Sequence, residues 1–435
     1  MIRTLRQRKK IPLWIGYGLT SGLQILTVIA LARFVGREVL GQYAAIIAFT
    51  LVIGRLVDIG LPAAISYFIR MEPESANAVS RRVLLHIAGT VPVVFGAAYL
   101  LRFIPFAEMG LNTAVALSTT SLAVMMLAQL ASGLFANIMI ATDRYTAYTL
   151  LQAAPQALLC GAVYTMHLMG APLSIVSLLP VLAATAILPP LLIGAVMVWT
   201  IAHAKTGRSV DVRELYSFGF QTLPGNAAKV ISARLDRMIL SAFLSASSLG
   251  LYAVGMTVKT ALLVPFQAYG IGLFNDLLDE KKAGRSAYDY NMRAAARWFA
   301  AMLVIAFAVF ATAPYAVPLM FGPEFASGVT VVRILAFAPA FECLSTQMMQ
   351  WLLAERHPTV ISRVQVIGAM ILAISMTVGS IGWGLLGAAY AATLTAAFMA
   401  GCTIVVAASL RRSRGEQHDN DRSADGRASL HSAER

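Results

Sequence analysis

Twelve runs of this chain are each long and apolar enough to cross a bilayer, which takes about 20 residues as a helix. They cover 11–32, 40–69, 83–101, 112–141, 146–168, 173–201, 215–243, 248–274, 292–320, 328–353, 359–380 and 383–409. In lipid, backbone polar groups have to be satisfied inside the segment, so such runs form helices. The expected fold is therefore an all-α polytopic membrane protein with about 12 transmembrane helices. Only 13% of the residues are charged and 58% are hydrophobic, whereas an ordinary soluble domain is about 25% charged. That balance argues against a soluble enzyme, a nucleic-acid binder or a disordered scaffold.

The net charge of +13 has a topological reading. If the N-terminus is cytoplasmic, the tails and even-numbered connections hold 25 of the 34 Lys and Arg, and the opposite side holds only Arg33, Arg37 and Arg102. Basic loops stay inside, so both termini are expected in the cytoplasm. Trp14, Trp199, Trp298, Trp351 and Trp383 fall near span ends, as an interfacial aromatic belt predicts. The basic start 1–10 has no small-residue cleavage site after it, so the first span reads as retained. The polar, Ser-rich stretch 410–435 reads as a disordered cytoplasmic tail.

Catalytic and metal chemistry find no foothold. Cys160, Cys343 and Cys402 all sit in apolar runs without ligand spacing, and the six histidines are scattered. No catalytic residue, metal site or cofactor is expected.

An internal repeat divides the chain. Phe34 followed by Leu40-Gly41-Gln42-Tyr43-Ala44 returns as Phe243 followed by Leu249-Gly250-Leu251-Tyr252-Ala253, at an offset of 209 residues. Both copies lie in short outward turns between long helices. Six spans per half is an even number, so the halves enter the membrane in the same direction. Parallel repeats of this kind build transporters, with substrate sites near mid-membrane. The expected organisation is a six-helix lobe at 1–201, a cytoplasmic linker at 202–214 and a second six-helix lobe at 215–409, around a central cavity.

Three patches carry a family resemblance. They are Leu31-Ala32-Arg33-Phe34-Val35-Gly36 with Leu40-Gly41-Gln42-Tyr43 and Asp58-Ile59-Gly60-Leu61; Leu235-Asp236-Arg237-Met238-Ile239-Leu240-Ser241; and Phe321-Gly322-Pro323-Glu324-Phe325 with Arg333-Ile334-Leu335. In this order and spacing they resemble Wzx-type polysaccharide flippases of the multidrug/oligosaccharidyl-lipid/polysaccharide exporter superfamily. The resemblance implies two six-helix lobes around a cavity that opens alternately to either side. It also implies a cargo of undecaprenyl-pyrophosphate-linked oligosaccharide repeat units, moved across the inner membrane for surface polysaccharide or exopolysaccharide synthesis. Membrane lipid, this substrate, a polysaccharide polymerase and glycosyltransferases are the partners to look for.

Charge buried in lipid is costly and marks function or a partner. The spans contain Arg55, Lys229, Arg234, Arg237, Lys259 and Arg333 against Asp58, Asp236 and Glu342, an excess of +3. Such an excess suits a pyrophosphate anion. Lys229 lies ~21 Å into span 7 and Lys259 ~16 Å into span 8 from the other face, at 1.5 Å per residue. Both are near mid-membrane, and with Arg234 and Arg237 they form the expected substrate-binding set. The alternative for each is snorkelling or a bond to a neighbouring carbonyl. Arg55 and Asp58, three apart, read as a salt bridge or a gate between lobes, with Asp236 in a similar role beside its arginines. Glu342 is placed to carry a coupling proton. Pro224-Gly225 is the expected hinge of span 7.

Two other functions compete. A multidrug or cation exporter generally needs a carboxylate in the first lobe, and 11–32 has none. A polysaccharide polymerase needs a sizeable outer loop, and the largest, 102–111, offers only Arg102 and Glu108.

Overall fold

The structure, a computed structural model, describes residues 11–103, 118–203, 211–355 and 357–433. Among the described residues all regular structure is helical. In chain order the helices are α1 (Ile11–Leu56), α2 (Leu61–Met71), α3 (Ala76–Leu100), α4 (Thr119–Ala141), α5 (Tyr145–Leu168), α6 (Ile175–Ala202), α7 (Val212–Ser232), α8 (Leu235–Phe243), α9 (Ala246–Lys282), α10 (Ala287–Phe321), α11 (Val329–Leu335), α12 (Ala338–Ala354) and α13 (Pro358–Ala433). Eight helical stretches among the described residues are long and apolar enough to cross a membrane. Two of these hold a pair of spans each, because α1 breaks at Gly36 (φ 84°) and α13 at Gly384 (φ 56°). Spans 5 and 7 of the sequence reading correspond to α5 and to the α7–α8 pair. The chain is a multi-pass membrane protein.

Span 7 is helical through Pro224 and Gly225, and an interruption follows at Ala233 and Arg234. One expectation changes in the structure. Trp351 belongs to no interfacial belt: it is 4% exposed and packs edge-on against Tyr288 at 5.2 Å. Its ring fills the core between α10 and α12, a larger apolar gain than an interface position offers. Beyond residue 409 the backbone of α13 runs on as helix to Ala433.

The repeated turns meet. α1 packs against α9, and the contact is backbone on backbone. A methyl on Gly41 would run into the carbonyl oxygen of Ala246 and lie 2.8 Å from the Gly250 nitrogen. A methyl on Gly250 would run into the Arg37 carbonyl, with its carbon at 2.8 Å. Arg37 and Ala246 are 209 residues apart, as are Gly41 and Gly250. Each repeat therefore places its glycine on the other repeat's carbonyl, the signature of a local two-fold relation. Glycine is required here because only a missing Cβ lets the chains approach so closely.

Around this crossing one apolar core draws on both halves, with Leu40, Leu31, Tyr252, Leu249, Phe321 and Phe325 all nearly inaccessible. At the opposite face, where the termini lie, the cores separate. One holds Leu61, Phe68, Leu134 and Met197, with Leu215 from the start of α7. The other holds Leu273, Leu277, Trp351 and Leu352. The halves are thus joined at the turn face. On the terminal side they touch where α7 leans on the first half: Thr222 donates to the Gly60 carbonyl at 3.2 Å, and the Tyr216 hydroxyl meets His86 Nδ1 at 3.3 Å.

Candidate functional site

The second half encloses a cavity of about 570 Å³. It is built by α8, α9, α12 and α13, with Ser232 at the end of α7. The two-residue break before α8 ends α7 and places Arg234 at the α8 N-cap. Arg234, Asp236 and Arg237 then enter the cavity wall together. α9 adds Tyr252 and Lys259, α12 adds Glu342, and α13 adds Gln365 and Thr395. Five residues that the sequence singles out, Arg234, Arg237, Lys259, Asp236 and Glu342, thus line one space.

The two carboxylates are occupied differently. Asp236 is 6% exposed, and its Oδ1 accepts the Arg237 backbone N–H at 2.8 Å. Its Oδ2 accepts the Tyr252 hydroxyl at 3.2 Å. That carboxylate is fixed in place and holds the start of α8 against α9. Glu342 instead makes an ion pair with Lys259, joining α12 to α9. Their side chains are 33% and 14% exposed, so the pair borders the cavity and remains accessible from it. From the first half, Tyr43 lies within electrostatic reach of both Arg234 and Arg237. Three cations against two carboxylates leave the wall positive.

The remaining sequence candidates fall elsewhere. The side chains of Lys229, Pro224 and Gly225 lie outside the described residues. Arg55 and Asp58 are not in this cavity. Their i,i+3 register ends because α1 stops at Leu56, and Asp58 sits in the following turn, where it accepts the Gly60 N–H at 2.9 Å. The Arg55 guanidinium lies against α4 at Gly133, filling the space a side chain would need there. Arg333 donates to the Phe310 carbonyl at 2.9 Å and stacks over its ring at 4.6 Å. It is a bond between neighbouring spans.

Sequence reasoning missed the neutral polar wall: Thr260, Gln267, Ser345, Thr346, Gln365 and Thr395. Amides and hydroxyls of this kind pair with sugar hydroxyls through both donors and acceptors. The available signal was glutamine in otherwise apolar runs, at 267 and 365. Among the described residues no cluster of His, Cys, Asp and Glu is arranged to hold a metal ion.

Comparison with known proteins places this architecture. Residues 8–270 match the family described as polysaccharide biosynthesis protein. No curated protein matches the sequence. Among solved structures the chain is similar to the lipid II flippase MurJ in an inward closed conformation, with a TM-score of 0.71 at 12% identity, over 91% of this chain and 87% of that one. It is also similar to a mutant of the MATE transporter VcmN of Vibrio cholerae, with a TM-score of 0.63 at 13% identity, covering 93% and 96%. A MOP superfamily transporter from Pyrococcus furiosus gives 0.63 at 11% identity, covering 93% and 95%.

Proposed function

We propose, from the premise that this chain belongs to the polysaccharide biosynthesis protein family, that it moves undecaprenyl-pyrophosphate-linked oligosaccharides across the inner membrane. Its fold is that of MOP superfamily transporters. The observation that carries the reading is the sign of the cavity: Arg234, Arg237 and Lys259 face one space beside a wall of amides and hydroxyls. A pyrophosphate suits the cations, and sugar hydroxyls suit the neutral wall. The likeness to a lipid II flippase supports a lipid-linked cargo. A cation exporter fits less well, because a lipophilic cation would be repelled by this wall.

Transport proceeds by alternating access. In the conformation described here the halves are docked at the turn face, around Gly41 and Gly250. With both termini cytoplasmic, that is the periplasmic side, so cargo reaches the cavity from the cytoplasmic leaflet. Cells lacking the protein are expected to accumulate lipid-linked repeat units on that leaflet and to lose surface polymer. Normal polymer without accumulation in a clean deletion would refute the assignment.

The Lys259–Glu342 pair gives the site a release step. Glu342 occupies the ammonium that a phosphate oxygen would take, so cargo and carboxylate compete for Lys259. Protonation of Glu342 would free Lys259 in the same way, which is where a coupling proton enters. Glu342→Gln is therefore expected to tighten undecaprenyl pyrophosphate binding by roughly three- to tenfold, and the pair Lys259→Gln with Glu342→Gln to weaken it by at least as much. Titration calorimetry on the purified protein reads both. Weaker binding in Glu342→Gln would remove the competition from the mechanism.

A further inference from the structure

A second cavity, of about 310 Å³, lies away from the central one, at the terminal-face end of α9 and α10. Its wall is Tyr269 from α9, with Tyr290, Arg293, Arg297 and Trp298 from α10. The rings form a shelf: Tyr269 and Trp298 stand 5.2 Å apart, and Phe266 meets Trp298 edge-on at 5.6 Å. Arg293 and Arg297 are four apart on one helix, so their Cα atoms are separated by ~6 Å along its axis.

Neither arginine has a carboxylate partner among the described residues. Of the acids at this end, Asp289 pairs with Arg411 at 3.1 Å, Glu280 with Arg285 at 2.6 Å and Glu355 with Lys281 at 2.9 Å, while Asp276 on α9 lies within electrostatic reach of Tyr269, as Arg297 does. Among the described residues, Arg293 donates to the carbonyl of Asp289 in its own helix, at 3.2 Å. Along α10, at helical spacing beyond Arg297, come Val304 (69% exposed) and Phe307 (62% exposed). Two exposed guanidiniums, an aromatic shelf and an apolar stripe thus follow one another along α10.

We propose that this is a second binding site, taking a phosphate borne on a lipid. The guanidiniums hold the phosphate oxygens, the Tyr and Trp rings take the glycerol or first isoprene level, and the chains lie on the stripe over Val304 and Phe307. Its ligand is a bilayer phospholipid such as phosphatidylglycerol, or an isoprenyl phosphate resting there before it reaches the cavity. The phospholipid case is independent of what the central cavity carries, because the two cavities share no lining residue, whereas the isoprenyl phosphate case rests on the function proposed above.

Native mass spectrometry of the full chain in detergent tests this, with phosphatidylglycerol, undecaprenyl phosphate, phosphatidylcholine and inorganic pyrophosphate as separate probes. The parent is expected to retain one of the two anionic lipids over phosphatidylcholine. R293Q/R297Q is expected to bind that lipid roughly tenfold more weakly or worse. Arg293→Lys with Arg297→Lys should fall between, since charge remains but the fork is lost. R81Q/R82Q, which removes exposed cations from the start of α3, should bind as the parent does. Both arginines are exposed, so unfolding midpoints without added lipid should be unchanged. Selective loss of phosphatidylglycerol marks a resident bilayer lipid, and selective loss of undecaprenyl phosphate marks a waiting cargo. Equal lipid retention by R293Q/R297Q, or binding of inorganic pyrophosphate with neither lipid, would overturn the proposal.

Discussion

Alanine at Gly41 or at Gly250 is expected to lower the thermal stability of the purified protein sharply, and the two losses are expected not to add. Each added methyl points into a carbonyl of the partner repeat, Ala246 for Gly41 and Arg37 for Gly250. No rotamer relieves a clash between a Cβ and a backbone, so the helices have to separate. Overpacking of this kind typically costs about 1–3 kcal/mol, with backbone clashes at or above the upper end. Once the first methyl has pushed α1 from α9, the second meets a gap already opened. The double variant should therefore cost clearly less than the sum of the singles. Additive losses would mean that the glycines belong to independent contacts, and the local two-fold relation would fail. The separation also opens the core around Tyr252 and Phe321, so the variants should lose the conformation closed at the turn face.

The second large effect concerns the cavity cations. Arg234→Gln is expected to cut transport of a pyrophosphate-linked glycolipid by roughly ten- to a hundredfold, from the 1.5–3 kcal/mol typical of hydrogen bonds to charged groups. Lys259→Gln alone would strand Glu342, so the informative change is the pair Lys259→Gln with Glu342→Gln, which removes the cation without leaving a lone carboxylate. That pair should lose transport by a similar factor while the amount of protein in the membrane stays at the parent level. Arg237→Gln should leave Asp236 and the start of α8 in place, because the Arg237 backbone N–H, rather than its side chain, donates to Asp236, so its loss of transport reads the cavity charge alone. Transport assays in reconstituted vesicles, with expression measured in parallel, check all three. Parent-level transport by Arg234→Gln and by the pair together would empty the cavity of its assigned role.

Much of the fold is legible in the sequence because lipid restricts what an apolar run can be. The break at Gly36 falls in the gap between sequence-defined spans, and the break at Gly384 falls just inside the last of them, 383–409. The repeat is visible as Leu-Gly-x-Tyr-Ala twice. That its glycines touch each other is not visible, because the contact joins residues 209 apart. For the site, charge in an apolar run picks out Arg234, Asp236, Arg237, Lys259 and Glu342 one at a time, and only packing reveals that they share a cavity. The Lys259–Glu342 pair depends on α9 lying against α12, which hydropathy does not encode. Asp58 leaves the helical register, because its own turn, with Ile59 at φ 51° and Gly60 at φ 71°, departs from the helix, while Arg55 stays within electrostatic reach of it. Trp351 shows the limit of the belt rule: nearness to a span end does not say which way a ring faces.

The central claim is the sign and class of the cargo, and one reconstitution tests it most directly. The purified protein would be placed in vesicles loaded either with an undecaprenyl-pyrophosphate-linked oligosaccharide in one leaflet or with a lipophilic cationic dye. The positive cavity predicts protein-dependent appearance of the glycolipid in the opposite leaflet and no movement of the dye. Movement of the dye, with the glycolipid left where it started, would contradict the account.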